Sequence, residues 1–285
     1  MRIQDLLSQY RIEYREAGQH HHARVGWIQM DCPFCGPGTY KFHLGYNLAY
    51  GYFSCWKCGP HPRKEVWKRL GIPWSEVKGI PQERTEEKKS YVNPTLIEPS
   101  FRGPLLPPHR KYLESRGFDP EEIVKLWHVE GIGIAPRLSW RIYIPIYWRS
   151  ERVSWTTRAI GESVEPRYLS ASAKEERIPH KDLVYGIDFC SHSIIVVEGP
   201  FDAWRIGPGA GALFGAAFTE AQLQKISKIP YRYICLDADA QLAAERLADQ
   251  LSVFPGQTWF IQLDAKDPAS ASQKEINRLR KIAKL

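Results

Sequence analysis

Apolar residues recur at helical spacing twice in the first part of the chain: Ile3, Leu6, Leu7 and Tyr10 share one face, and Val66, Trp67 and Leu70 share another. Between them the run YKFHLGYNLAYGYFSC is rich in aromatics and interrupted by Gly45 and Gly51, a pattern that predicts a small ribbon of short strands. From Pro73 to Pro108 the periodicity gives way to prolines and the charge run ERTEEKK, which reads as a linker. Order resumes near Gly117. Asp119 is placed to cap a helix that starts at Pro120 and buries Ile123, Val124 and Trp127. The runs RIYIPIYW and RVSWTTRAI then flank a short turn at Arg149 to Glu151, which predicts a hairpin.

The last hundred residues alternate between the two periods. Strands are expected at Ile194 to Val197, Ala212 to Phe214, Ile234 to Leu236 and Thr258 to Leu263. Helices are expected from Phe201 to Ile206, after a capping box at Thr219 to Gln222, and from Ala240 to Leu251. Such alternation predicts a parallel α/β layer. The fold class is therefore multidomain α/β, with four segments: residues 1–78 as a strand ribbon, 79–107 as linker, 108–190 as a mixed α+β subdomain, and 191–285 as the α/β domain with a parallel sheet.

Two cysteine pairs sharpen the picture of the ribbon. Cys32 with Cys35 and Cys55 with Cys58 are each separated by two residues, and 19 residues lie between the pairs. Two tight turns closed by a hairpin can present four thiolates tetrahedrally, so this spacing predicts one structural zinc and a zinc ribbon. The internal triplet His20, His21 and His22 is expected to stay outside a shell that four cysteines complete. Cys190 and Cys235 read as core thiols rather than a disulfide.

Composition narrows the setting. The 285 residues are 43% hydrophobic, enough for more than one core, and the formal net charge is +7. Residues 1–90 hold 14 Lys and Arg against 9 Asp and Glu, so most of the excess lies with the cysteines. That balance suits a polyanionic partner. Tyr40, Lys41, Phe42, Tyr52, Trp56 and Lys57 interleave rings with cations, and the rings either stack bases or form the ribbon's own core. No stretch is apolar enough to span a bilayer and the N-terminus lacks a signal-peptide pattern, which together predict a cytoplasmic protein with no membrane partner.

The acids of the last domain fall where ligands gather in parallel sheets, just past the carboxyl ends of strands. Glu198 follows the first strand, and Asp237 and Asp239 follow the third, with strand alternation expected to put both aspartates on one side. Carboxylates so placed suit hard cations such as magnesium or manganese. Asp202 and Asp267 are candidates for the same cluster.

These residues also carry a resemblance. IIVVEGPFDAW, followed by ICLDADA and LDAKDP, resembles the TOPRIM domain shared by primases, topoisomerases and some nucleases. YLESRGFDPEEI, RIYIPI, TTRAIG, PRYLSAS and LVYGI, in that order, resemble the catalytic core of bacterial and phage DnaG-type DNA primases. With the CPFC and CWKC pairs in front, the resemblance runs over nearly the whole chain from about residue 28. It implies a nucleotidyltransferase that makes short RNA primers de novo on single-stranded DNA from ribonucleoside triphosphates. A zinc ribbon would bind template, and a replicative helicase and a single-strand-binding protein would be partners. The setting would be a bacterial cell, or the host cytoplasm for a phage protein.

By the same resemblance, Glu198, Asp237 and Asp239 would be catalytic, and Glu198, Asp202, Asp237, Asp239 and Asp267 would hold magnesium. Arg141, Arg158, Arg167, Tyr168 and Lys181 would bind nucleotide or template. Two positions depart from the family pattern: Cys35 stands where cellular members usually carry histidine, and Ala269 where an aspartate is common. Thiolate also binds zinc, so the first is chemically harmless, whereas the second thins the acidic cluster. The chain ends just after the TOPRIM-like region, without the helicase-binding domain of cellular members, which suggests a minimal, phage-type primase. Two other readings remain: a non-catalytic zinc/TOPRIM DNA-binding scaffold of the RecR type, and a TOPRIM nuclease.

Overall fold

Helix α1 (Ile3–Gln9) forms where the apolar face predicts it and buries Ile3, Leu6 and Leu7. The structure is a computed structural model that describes residues 2–21, 23–48, 51–77, 80, 95–161 and 163–285. The chain divides into two units, Met1–Lys89 with Arg246–Gly256, and Ser90–Glu245 with Gln257–Leu285.

The first unit holds an antiparallel sheet of β1 (Tyr14–Arg15), β2 (Trp27–Met30), β3 (Leu44–Asn47), β4 (Phe53–Cys55) and β5 (Gly59–His61), paired in chain order. Ile28, Met30, Leu44 and Phe53 pack with Leu6 and Leu7 of α1 and with Val66 and Trp67 of α2 (Arg63–Arg69). Cys32 and Cys55 belong to this same core. Gly45 permits a close approach, since a Cβ there would lie 2.8 Å from the Trp27 ring. Part of the expected linker is ordered differently: α3 (Trp74–Val77) is helical, and Val77 is buried. Residues 78, 79 and 81–94 of that stretch, and His22 of the histidine triplet, lie outside the described residues.

The second unit begins by docking the far end of the predicted linker. Glu98 accepts from Tyr143 Oη at 2.5 Å and pairs with Arg102 at 2.8 Å, and Arg102–Gly103 forms a short strand, β6. The sheet then runs β10-β9-β8-β7-β6, all antiparallel, through β7 (Glu130–Ile132), β8 (Arg141–Trp148), β9 (Glu151–Ala159) and β10 (Tyr168–Ser170). Helices α4 (Pro107–Ser115) and α5 (Pro120–Trp127) accompany it, the latter capped by Asp119, whose carboxylate accepts from Glu121 N and Glu122 N. The β8–β9 hairpin turns on two residues with positive φ, Arg149 at 54° and Ser150 at 63°. Left-handed conformation is costly for these side chains. The Asp188 carboxylate offsets that cost by accepting both turn amides, at 3.1 and 2.7 Å.

The second sheet of this unit is parallel, in the order β12-β11-β13-β14, from β11 (Ser193–Val197), β12 (Ala210–Ala212), β13 (Tyr231–Ile234) and β14 (Gln257–Phe260). Its helices are α6 (Pro200–Ile206), α7 (Glu220–Ser227) and α9 (Gln273–Ala283), while α8 (Gln241–Ser252) starts in this unit and from Arg246 on is counted with the first. Strands β12, β13 and β14 end two to three residues earlier than the apolar runs suggest, because the last apolar residues of each run have already left the ladder. Phe214, for one, takes a positive φ of 63°. Ile142, Ile144 and Ile146 of β8 share one core with Ile195 and Val197 of β11, Phe201 and Trp204 of α6, and Ile276 and Leu279 of α9. Tyr143, on the other face of β8, packs with Ile132, Leu138 and Trp155. Burial on both faces explains why RIYIPIYW reads as a continuous apolar run rather than an alternating one.

Candidate active site

Three carboxylates converge at the carboxyl ends of the two central parallel strands. Glu198 directly follows β11, and Asp237 and Asp239 follow β13. One oxygen from each lies within 4.8 Å of the others. Opposite oxygens around one hard cation sit about 4–5 Å apart, so this spacing fits a single shell. The two aspartates are not aligned by strand alternation, as the sequence suggests. Asp237 precedes a 3-10 turn, Ala238–Ala240, that contains Asp239, and the turn brings both toward Glu198. Glu198 is fixed by accepting from the Asp237 backbone N–H at 3.2 Å.

The site's electrostatics favour a cation. Burial, followed by the charges of Asp202, Glu198, Asp267 and Asp239, pushes the Asp237 carboxyl up to about 7. Burial also raises Glu198. Asp237 Oδ1 is buried and meets no hydrogen-bond donor. An ionised, unpaired oxygen in such surroundings is costly unless a positive charge joins it, and an all-oxygen donor set suits magnesium or manganese.

Asp202 and Asp267 take other positions. Asp202 is only 7% exposed and its two oxygens are bonded to the backbone, Oδ1 to Ala269 N and Oδ2 to Gly199 N, both at 3.0 Å. It ties the Glu198 loop to the loop after Asp267, and burial pushes its carboxyl up to about 6. Asp267 caps the turn Pro268–Ser270 through Ser270 N and lines the same cavity as Glu198 and Asp237.

That cavity, of about 430 Å3, is also lined by basic residues: Arg158, Arg167 and Lys181, together with Arg116. Register explains part of the arrangement, because Arg158 of β9 pairs directly with Tyr168 of β10. The Arg158 guanidinium lies 4.8 Å from the Tyr168 ring centroid and 5.3 Å from that of Phe201, and its Nε donates to Tyr112 Oη at 3.2 Å. Lys181 Nζ donates to the Phe214 carbonyl. Arg141 does not line this cavity. It is 2% exposed and donates to the carbonyls of Pro166 and Arg167, at 2.8 and 3.2 Å, so it shapes the turn that carries Arg167.

Sequence reasoning missed Arg116 and His180 on the cavity wall. Arg116 sits in the quoted YLESRGF segment, where a cation beside the helix-ending Gly117 was the available signal. His180 had none. Its imidazole meets Glu176, four residues before it, at 3.0 Å.

The four cysteines of the first unit form the second cluster, with all Sγ atoms within 4.8 Å of one another. Cys32 to Cys58 and Cys35 to Cys55 are both 3.6 Å. Thiolates around a tetrahedral zinc at about 2.3 Å would stand about 3.8 Å apart, so the donor set and its spacing fit a structural zinc. Burial pushes the Cys32 thiol up to about 11, so a cation is needed to hold it ionised at neutral pH. Cys190 and Cys235 are free thiols; Cys235 is a core residue as expected, whereas Cys190 is half-buried and lies outside the core. His20 engages Phe42 and His21, and neither histidine is in the metal-binding group. Of the interleaved rings, Phe42 and Tyr52 are buried, whereas Tyr40 and Trp56 are 65% and 57% exposed.

Neither a family model nor a curated protein matches the sequence. Among solved structures, the DnaG catalytic core is similar at 18% identity and a TM-score of 0.51, over 62% of this chain and 74% of that one. The zinc-binding and RNA polymerase domains of the Aquifex aeolicus primase are similar at 18% identity and a TM-score of 0.44, over 100% and 83%. The primase fragment of the bacteriophage T7 primase-helicase protein is similar at 15% identity and a TM-score of 0.47, over 90% and 98%. Among the described residues, no helix is long and apolar enough to cross a membrane. Over the aligned part, this chain has the fold of the DnaG primase catalytic core.

Proposed function

We propose that this chain is a metal-dependent nucleotidyltransferase that synthesises short RNA primers de novo on single-stranded DNA. The observation that carries the reading is one cavity lined by Glu198, Asp237 and Asp267 together with Arg158, Arg167 and Lys181. Phosphoryl transfer needs this division of labour, with acids to hold a cation and bases to hold phosphates. Magnesium or manganese held by Glu198, Asp237 and Asp239 would ease ionisation of the attacking 3′ hydroxyl and neutralise charge on the triphosphate.

The chain's own residues do the rest. Asp202 fixes the two acidic loops relative to each other through the amides of Gly199 and Ala269. Arg158, held by Tyr112, Tyr168 and Phe201, presents its guanidinium for bidentate contact with phosphate oxygens. Arg167 and Lys181 reach the same space, and Arg141 positions Arg167 through its carbonyl. The basic zinc-bearing segment, residues 1–78, would present the template, with exposed Tyr40 and Trp56 available for stacking. A replicative helicase and a single-strand-binding protein are the partners this activity calls for.

The test uses purified protein with single-stranded DNA, ribonucleoside triphosphates and magnesium, scored for new oligoribonucleotides, for cleavage and for binding. Synthesis is expected from the wild type, with a loss of about a hundredfold or more in Asp237→Asn, in keeping with the several kcal/mol a bound cation supplies. Arg158→Ala should raise the KM for nucleotide while leaving magnesium binding intact. Cleavage without synthesis would replace this reading with a nuclease, and binding alone would replace it with a scaffold.

A further inference from the structure

The four-thiol cluster has a close neighbour that the spacing of the cysteines does not announce. His61 lies three residues beyond Cys58, on β5, and its Nε2 is 3.0 Å from Cys58 Sγ and 3.9 Å from Cys32 Sγ. Its ring is held from the other side. Phe34, between the first two cysteines, stacks on it with centroids 3.8 Å apart and planes within 4°. The Arg69 guanidinium lies over the Phe34 ring at 4.3 Å and is itself paired with Glu65 at 3.3 Å. A cation, an aromatic ring and an imidazole thus form one column that ends on a thiol of the metal cluster.

Distances decide what the imidazole does there. A nitrogen and a sulfur that both ligate one tetrahedral zinc stand about 3.6 Å apart, given zinc distances of about 2.0–2.1 and 2.3 Å. His61 and Cys58 are closer than that, while the cysteine pairs at 3.6 Å are near the value for shared ligands. The short separation suits an N–H donating to sulfur. Cys58 is also the exposed member of the four cysteines, the one where solvent or an electrophile would reach the metal shell first.

We infer that His61 is a positioning residue of the zinc site, donating its Nε2–H to the Cys58 thiolate and so retaining the metal and shielding that sulfur. Four thiolates give a zinc centre a net charge of about −2, and a donor to one of them withdraws charge from the sulfur that is otherwise the best nucleophile and the easiest to protonate away. Phe34 and Arg69 keep the ring in register for that bond. The inference rests on zinc being the occupant.

The test compares full-length wild type, His61→Ala, His61→Gln and Phe34→Leu, each first measured for zinc by elemental analysis and for helix content by circular dichroism. His61→Ala should still purify with about one zinc per chain, lose it to a chromophoric chelator roughly tenfold faster or more, and expose Cys58 to faster alkylation, the scale expected for an outer partner of a metal ligand. His61→Gln, which keeps an N–H donor, should recover part of the loss, and Phe34→Leu should fall between. Cobalt-substituted wild type should give the visible spectrum of a four-thiolate site, and His61→Ala should keep it. Wild-type rates of zinc loss and alkylation in His61→Ala overturn the inference. So does a cobalt spectrum of three thiolates and one nitrogen that changes with His61→Ala, which would make the histidine a ligand. A wild type without zinc instead removes the zinc assignment on which the inference stands.

Discussion

Asp237 concentrates the physical tension of the second unit. Its carboxyl is pushed from the ordinary 3.8 to about 7, by burial first and then by four neighbouring acids, and one of its oxygens has no donor. A carboxyl whose folded pKa is raised contributes stability while it stays protonated, and that contribution is lost as pH rises through the folded value. The metal-free protein should therefore be more stable near pH 5 than near pH 8, as far as this group decides it. Cation binding needs the ionised form and should tighten over the same interval. Thermal denaturation with and without magnesium should show a larger magnesium-induced rise in Tm at pH 8 than at pH 6. Asp237→Asn should raise the metal-free Tm at pH 8 and remove most of the magnesium effect; an unchanged magnesium response would mean that the cation sits elsewhere. The acids were legible in the sequence because strand ends are where a parallel sheet exposes groups. Their division of labour was not, because one of the two backbone amides that hold Asp202, that of Ala269, lies 67 residues away along the chain.

At the scale of elements, the strongest sequence signals were those whose physics is local. The capping box at Thr219 is present with both bonds, Thr219 Oγ1 accepting from Gln222 N at 3.2 Å and Gln222 Oε1 from Thr219 N at 2.9 Å. What the motif could not show is that Gln222 is fully buried and that its Nε2 donates to the carbonyls of Leu183 and Leu213, at 2.8 and 2.9 Å. One side chain thus caps α7 and joins it to two loops, one of which carries Lys181 to the cavity. Gln222→Ala should leave two carbonyls unpaired and lower stability by about 2–3 kcal/mol, as measured by denaturant unfolding. Gln222→Glu should be as damaging, since it replaces the donor by an acceptor facing two carbonyls. Two strand ends in the parallel sheet were misplaced for the opposite reason: apolar runs record burial, and Leu213 after β12 and Cys235 and Leu236 after β13 remain buried beyond the strand. The β8–β9 turn was legible as a turn, but its stabiliser, Asp188, lies 38 and 39 residues away from the two amides it binds.

Across the whole molecule, the two units have separate cores, and only the first depends on sulfur. Cys32 and Cys55 are members of its apolar cluster, flanked by Met30 and Leu44, so the ligand shell is continuous with the packing that orders the sheet and α2. A core of that size gains much from a metal staple, and metal binding to the four cysteines, of which burial holds the Cys32 thiol protonated without a cation, returns its free energy as folding free energy. The second unit builds its main core from β8, β11, α6 and α9, with no cysteine cluster among its described residues that could bind the same metal. Removing zinc should therefore act on one unit and spare the other. Calorimetry of the zinc-loaded protein and of Cys55→Ser is expected to show one transition shifted far down or lost, while a second keeps its temperature and its response to magnesium. Binding to single-stranded DNA should weaken in the same variant and lose part of its salt dependence, because the segment that carries most of the excess positive charge is the one that melts. If instead all melting moves together when Cys55 is replaced, the two cores are energetically one, and zinc is holding the second unit as well as the first.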